Sequence, residues 1–228
     1  MNNAIITGAS RGLGLAVART LAAEGWRLTI DARTAADLER AARELGARTE
    51  VVALPGDVTD AVHRGALVAA AGDRIDLVVN NASALGPAPL PALADYPLDA
   101  LERVWRVNVL GPLGLIQAAL PHMPAGATIV NISSDAAVED YPGWGGYGST
   151  KAALDQITAT LAAENPRLQI YAVDPGDMRT RMHQDAFPAE DISDRPDPES
   201  VVPAFRRLLE ERPPSSRIRA SDLIGVAS

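Results

Sequence analysis

Cysteine is absent from this 228-residue chain. Disulfides, thiolate nucleophiles and cysteine metal sites are therefore excluded, although the absence does not fix a compartment. Histidine is scarce. His63, His122 and His183 are the three in the chain, and their spacing is not that of metal ligands, so no metal site is expected. Basic charge is also short, with 21 Lys and Arg against 29 Asp and Glu and a net charge of −8. That balance argues against nucleic-acid or membrane-surface binding through general charge, without excluding a small basic pocket for a phosphate. Long apolar runs are missing too. None nears the roughly 20 residues that span a bilayer. Residues 7–14 are glycine-rich and too polar for a secretory leader. The expectation is a soluble, cytoplasmic protein.

What is present is a regular alternation of strand and helix patterns. Hydrophobic residues make up 47% of the chain, enough for a sizeable core. Apolar runs at residues 4–6, 27–32, 50–54, 75–79, 127–132 and 168–173 read as strands. Helical patterns cover about 13–24, 34–45, 60–71, 98–120 and 146–164. Gly25 and Gly46 stop the first two helices, and Thr59 or Asp60 is placed to cap the third. Pro112 must kink or interrupt the fourth. Residues 85–97 form a proline-rich loop, and the polar, proline-rich stretch 185–198 reads as a mobile lid or loop. A helix at about 199–211 and an edge strand at 217–220 follow. Near-continuous apolar strands alternating with helices predict an α/β fold. The expected architecture is a Rossmann-type, doubly wound parallel sheet of about seven strands with helices on both faces, in a single domain over residues 1–228.

The densest chemistry lies in residues 133–151. Tyr147 and Lys151 are four apart, which puts both on one face of a helix. A phenol ordinarily titrates near 10, and a neighbouring ammonium favours its ionised form. Ser134 follows the fifth strand and so sits at its carboxyl end, where ligands bind in open α/β sheets. Tyr141 lacks the lysine, because Gly145 stands four residues on. Alone, a Tyr-x-x-x-Lys spacing is a weak signal. A second stretch, Thr7-Gly8-Ala9-Ser10-Arg11-Gly12-Leu13-Gly14, joins the first strand to the first helix. Such glycines let the backbone approach a pyrophosphate, and the helix start offers unpaired N–H groups to it. A plain tight turn would account for the glycines as well.

Taken together, these stretches resemble the short-chain dehydrogenase/reductase family over residues 4–182. The motifs stand in the family's order: the turn at 7–14, Gly56-Asp57-Val58, Asn80-Asn81-Ala82-Ser83, Ser134 with Tyr147, Lys151 and Asn108, and Pro175-Gly176 followed by Thr180. Departures are Ser83, where the family usually has glycine, and a short loop and tail after Thr180. The resemblance implies that Gly8, Gly12 and Gly14, with Ser10, Arg11 and Leu13, shape the pyrophosphate turn. It implies that Asp57 and Val58 contact the adenine and that Asn80 and Ala82 line the cofactor's ribose region. Thr180, near Pro175 and Gly176, would hold the nicotinamide carboxamide. Tyr147 is the implied general acid/base, with Lys151 lowering its pKa and binding the nicotinamide ribose. Ser134, with Ser133 as its alternative, would hydrogen-bond the substrate oxygen. Asn108 would hold a water linking Lys151 to solvent. A homodimer or homotetramer, associating through the helices of Asn108 and Tyr147, is also implied.

Cofactor choice rests on the end of the second strand. An acid there selects NAD(H), and Asp31 is near. Set against the family pattern, however, the selecting position falls on Ala32, with Arg33 next. Arg33 and Arg11 together suit a 2′-phosphate. NADP(H) is therefore expected over NAD(H), with Asp31 packed or paired inside the turn and an arginine as its candidate partner. The expected activity is that of an NADP-dependent oxidoreductase acting on CH–OH and C=O groups of a small or medium molecule. Two rival readings are a non-catalytic NADP(H)-sensing regulator and an oligomeric scaffold. A pure binder has no need of the proton donor Tyr147, and a scaffold has none of the glycine turn.

Overall fold

The structure is a computed structural model and describes residues 1–224. Its sheet is built from seven strands, β1 (Asn3–Ile6), β2 (Arg27–Ala32), β3 (Val51–Pro55), β4 (Leu77–Asn80), β5 (Thr128–Ile132), β6 (Gln169–Asp174) and β7 (Arg217–Arg219). Their order is β3-β2-β1-β4-β5-β6-β7, and every neighbouring pair is parallel. The helices are α1 (Gly12–Ala23), α2 (Ala35–Gly46), α3 (Ala61–Ala71), α4 (Leu98–Trp105), α5 (Gly111–Ala119), α6 (Gly145–Glu164), α7 (Arg181–Ala186), α8 (Val202–Glu211) and α9 (Ala220–Ile224).

Side chains alternate across each strand, and the strands feed two separate cores. Ala4 and Ile6 of β1 face one core, with Leu13 and Val17 of α1, Leu38 of α2 and Phe205 of α8. Ile5 faces the other, with Leu67 of α3, Leu115 of α5 and Leu161 of α6. Helices on both faces explain why the central strands are apolar throughout rather than alternating. The sheet winds outward in opposite directions from β1 and β4. Between them lies the crevice outside the carboxyl ends where such folds bind ligands.

The expected helix over 98–120 is three pieces. Pro112 has no N–H to offer the carbonyl of Asn108, one turn back. The chain answers with a widened turn over Arg106–Leu110, in which Gly111 N–H bonds the carbonyl of Arg106, five residues before it. Pro112 then falls in the first turn of α5, where its missing N–H costs nothing. The stretch after Thr180, read as a loop, begins with the short helix α7. The next helix starts at Val202, after a 3-10 turn at Pro198–Val201. The last strand ends at Arg219 rather than residue 220, because Ala220 opens α9. Among the described residues, no helix is long and apolar enough to cross a membrane.

Candidate active site

The glycine turn sits between β1 and α1 and is fixed by close approach. Gly8 has φ +66, and a Cβ there would stand 2.9 Å from Asn81 Nδ2 and 3.0 Å from Ala82 Cα. At Gly14 a Cβ would stand 2.5 Å from Asn81 Nδ2 and 2.6 Å from the carbonyl oxygen of Gly8. Asn81 is what closes the space. Its Nδ2 donates to the carbonyls of Thr7 and Gly8 at 2.9 and 3.1 Å, and its own N–H donates to Thr7 Oγ1 at 3.0 Å. Among the described residues, no side chain caps the start of α1, so its first N–H groups are open to an anion. Gly14→Ala is expected to weaken dinucleotide binding at least about tenfold, since overpacking a tight site typically costs 1–3 kcal/mol. Fluorescence titration alongside a thermal melt checks this, and unaltered binding would contradict it.

A cleft of about 1940 Å³ runs from this turn across the sheet's carboxyl edge. It exceeds the roughly 300–1,000 Å³ of an ordinary small-molecule pocket, which leaves space for a dinucleotide and a second ligand together. Ser10, Arg11, Gly12, Leu13, Arg33, Asp57 and Val58 line one arm, and Ser134, Tyr147, Lys151 and Thr180 the other. Ala82, Pro175 and Gly176 lie on its wall, and Gly14 is packed beneath the turn. Asn80 does not line the cleft. Its side chain is buried and Nδ2 donates to Asn131 Oδ1 at 2.8 Å, under the sheet rather than into the cleft.

Tyr147 and Lys151 lie on adjacent turns of α6, and the Lys151 ammonium is 5.3 Å from the centre of the Tyr147 ring. Lys151 Nζ donates to the carbonyl of Ile132 at 2.8 Å, which anchors it to the end of β5. Ser134, two residues on, holds its hydroxyl near the phenol. In this structure that hydroxyl donates to Asp135 Oδ1 at 2.9 Å. Among the described residues, Ser133 Oγ is buried and without a hydrogen-bond partner.

The family model for short chain dehydrogenases matches residues 2–191. The chain belongs to the short-chain dehydrogenase family. It is 38% identical over 171 residues to the short chain dehydrogenase penD of Penicillium thymicola, a match covering 70% of this chain and 61% of that one. The chain thus spans less than two thirds of that relative's length. To 2-(R)-hydroxypropyl-CoM dehydrogenase of Xanthobacter autotrophicus it is 35% identical over 190 residues, covering 79% and 76%. Among solved structures, a Shigella flexneri short chain dehydrogenase complexed with NADP superposes with a TM-score of 0.89 at 25% identity, covering 96% of each chain.

Within this family frame, several expected contacts differ. Asp31 is buried under the glycine turn, accepting from the Gly8 N–H at 2.7 Å and meeting His63 Nε2 at 3.0 Å. Its partner is therefore His63 from α3, not an arginine. Burial pushes the Asp31 carboxyl above its ordinary range, and the Gly8 N–H and His63 offset only part of that. Ala32 ends β2, and Arg33 follows at the mouth of the cleft. Asp57 accepts from the Thr59 N–H at 2.8 Å. Its partial burial raises its carboxyl, but the Thr59 hydrogen bonds and Arg33 outweigh that and hold it low.

Asn108 does not have a free amide for a water. Its Oδ1 accepts from the Ala84 N–H at 2.8 Å and from Ser83 Oγ at 3.1 Å. Its Nδ2 donates to the Ala84 carbonyl at 2.9 Å and to Thr150 Oγ1 at 3.0 Å. An amide offers two donors and two lone pairs, so the side chain is saturated. It ties the β4 loop to α6, and the widened turn before Pro112 is what delivers it there. Thr180 likewise has a local duty: its Oγ1 caps α7 by accepting from the His183 N–H at 3.2 Å.

The net shift at Tyr147 runs upward, opposite in direction to the lowering expected from Lys151. Burial pushes the phenol well above its ordinary value. Asp135 and Asp174 push the same way, against the pull of the Ser83 and Ser134 hydroxyls. Burial also lowers Lys151, to about 8, with Asp155 resisting. Asp155 stands one turn beyond Lys151 on α6 and pairs with Arg217 of β7 at 2.9 Å. Arg217 also donates to the Ser134 carbonyl at 2.9 Å and reaches Asp174 at 3.1 Å, so one guanidinium fastens the ends of β5 and β6 to α6. Asp155 was legible as a helical neighbour of Lys151. Nothing in the sequence pointed to Arg217.

Proposed function

We propose that this protein is an NADP(H)-dependent oxidoreductase that interconverts a carbonyl and an alcohol, with Tyr147 as the general acid and base. The observation that carries the reading is the convergence of Tyr147, Ser134 and Lys151 at the inner arm of a cleft whose outer arm is a glycine turn flanked by Arg11 and Arg33. The glycine turn, where a Cβ would collide at Gly8 and Gly14, fits a pyrophosphate. Arg11 and Arg33 fit a 2′-phosphate, and Asp31 is buried and engaged by Gly8 and His63, so it leaves the ribose hydroxyls unclaimed. Bound NADPH would supply the hydride.

In the reductive direction the Tyr147 phenol gives its proton to the substrate oxygen. Its raised pKa keeps it protonated across the working range, so the acid is always loaded. Ser134 would turn its hydroxyl from Asp135 to the substrate oxygen and steady the charge developing there. As Tyr147 becomes a phenolate, the Lys151 ammonium, 5.3 Å from the ring centre, compensates it at a buried position. Asn108 and Ser83 position the loop opposite. Ser133 is the weaker candidate, since a strand residue next to Ser134 faces the other way.

The cofactor half of the proposal is tested by paired NADPH and NADH titrations. NADPH is expected to bind at least about tenfold more tightly, and Arg33→Ala to lose about that factor, the scale of one hydrogen bond to a charged group. Tighter NADH binding would overturn it and return the selecting role to the end of β2.

A further inference from the structure

We infer that the substrate end of the cleft is shaped for a neutral aryl ketone or aldehyde, its ring lying against Trp144 and Phe187 and its carbonyl turned to Tyr147. This deepens the proposed carbonyl chemistry and rests on it. The protein is poor in aromatic residues, with three Trp, four Tyr and two Phe in 228 residues. Yet Tyr141, Trp144, Tyr147 and Phe187 all line this one cleft. Trp144 meets Tyr147 edge to face, with ring centres 5.8 Å apart and planes at 74°. Phe187 stands 5.8 Å from Trp144 at 41°, and His183 backs it at 4.9 Å. Tyr147, Trp144, Phe187 and His183 form a continuous chain of rings from the proton donor outward. Trp144 stands at the entry to α6, His183 lies in α7 and Phe187 ends it, positions that the fold does not require to be aromatic.

Fastening α7 to α6 would explain the contacts but not the exposure. Trp144 and Phe187 are only half-buried, and their open faces belong to the cleft. Leu85, Ala136 and Met182 join Trp144 and Tyr147 in an apolar cluster separate from both cores. Such a surface rewards a planar ring, because aromatic pairs gain beyond their buried area. Charge narrows the class further. Asp135 lies beside Ser134 and accepts from Ser134 Oγ, the Ala136 N–H and the Tyr141 hydroxyl. All three are neutral donors, so its charge is not offset by an ion pair among the described residues. A carboxylate on the substrate next to its carbonyl would be repelled there. An uncharged aryl carbonyl compound satisfies both conditions.

The test compares acetophenone with cyclohexyl methyl ketone, which matches its size without the aromatic ring, and with benzoylformate, which adds the charge. Binding to the protein saturated with NADP is measured by calorimetry, and reduction with NADPH is followed separately. Acetophenone is expected to bind about fivefold more tightly than the cyclohexyl ketone, and Trp144→Leu and Phe187→Leu each to remove most of that preference. Benzoylformate is expected to bind at least about tenfold more weakly than acetophenone, the gap narrowing in Asp135→Asn. Equal binding of the two ketones, equal losses for both in the variants, or no binding of either overturns the inference. If the aryl preference holds but neither ketone is reduced, the subsite stands and the oxidoreductase reading falls. If both are reduced with equal efficiency, the reverse is true.

Discussion

Replacing Tyr147 with Phe is expected to lower carbonyl reduction by about 10²–10⁴-fold, the range that general acid catalysis contributes. NADPH affinity should stay within about threefold, well under 1 kcal/mol. The contrast follows from what the substitution removes. Phe keeps the ring, its edge-on contact with Trp144 and its place over the Lys151 ammonium. What goes is the hydroxyl, which lies within reach of the Ser83 and Ser134 hydroxyls and is the proposed proton donor. No contact with the glycine turn changes. Steady-state kinetics paired with a cofactor titration read both effects, and a variant that still turns over at the wild-type rate would remove Tyr147 from the mechanism.

Lys151→Met should cost about 10²–10³-fold in reduction, the scale of losing one preorganised electrostatic contact to the developing charge. The pH dependence separates this role from mere packing. In the free wild-type protein burial holds Lys151 at about 8, below its ordinary 10.5. Below pH 8 the ammonium is present to offset the phenolate. As pH rises through 8 it is lost, and kcat/KM for reduction is expected to fall. Tyr147 stays protonated throughout, because its own pKa is raised. Stability moves the other way. Between about pH 8 and 10.5 the unfolded chain binds the lysine proton more strongly than the folded one, so stability rises with pH in that window. The full swing is about 3 kcal/mol. Lys151→Met should flatten both profiles there. A wild-type rate that stays level to pH 10 would mean that the lysine charge does not serve the chemistry.

The parts of this account that were legible in the sequence are local. Strands such as residues 4–6 and 127–132 announce themselves because both faces are buried, so a continuous apolar run suffices. The glycine turn and the Tyr147–Lys151 pair are set by short spacings that strand–turn–helix geometry brings into line. What could not be read depends on contacts across the chain. His63 reaches Asp31 of β2 from α3, 32 residues on. Arg217 joins three elements that are 43 to 83 residues away in sequence. Asn108 was visible as a motif residue, but its saturation was not. It depends on the widened turn that Pro112 forces and on the loop of Ser83 and Ala84 lying opposite. The direction of the Tyr147 shift was missed for a related reason: helical spacing gives a neighbour, whereas desolvation depends on everything packed around the ring.

The central claim is that the cleft moves a hydride between a nicotinamide and a carbonyl carbon under the control of Tyr147. NADPH carrying deuterium at both C4 positions of the nicotinamide, incubated with acetophenone and the wild-type protein, tests it most directly. The account predicts deuterium on the carbinol carbon of the product, and none above background with Tyr147→Phe, although that variant still binds NADPH. Tight NADPH binding with no deuterium in any product of the wild-type protein would contradict the account and leave a protein that senses the nucleotide without using it.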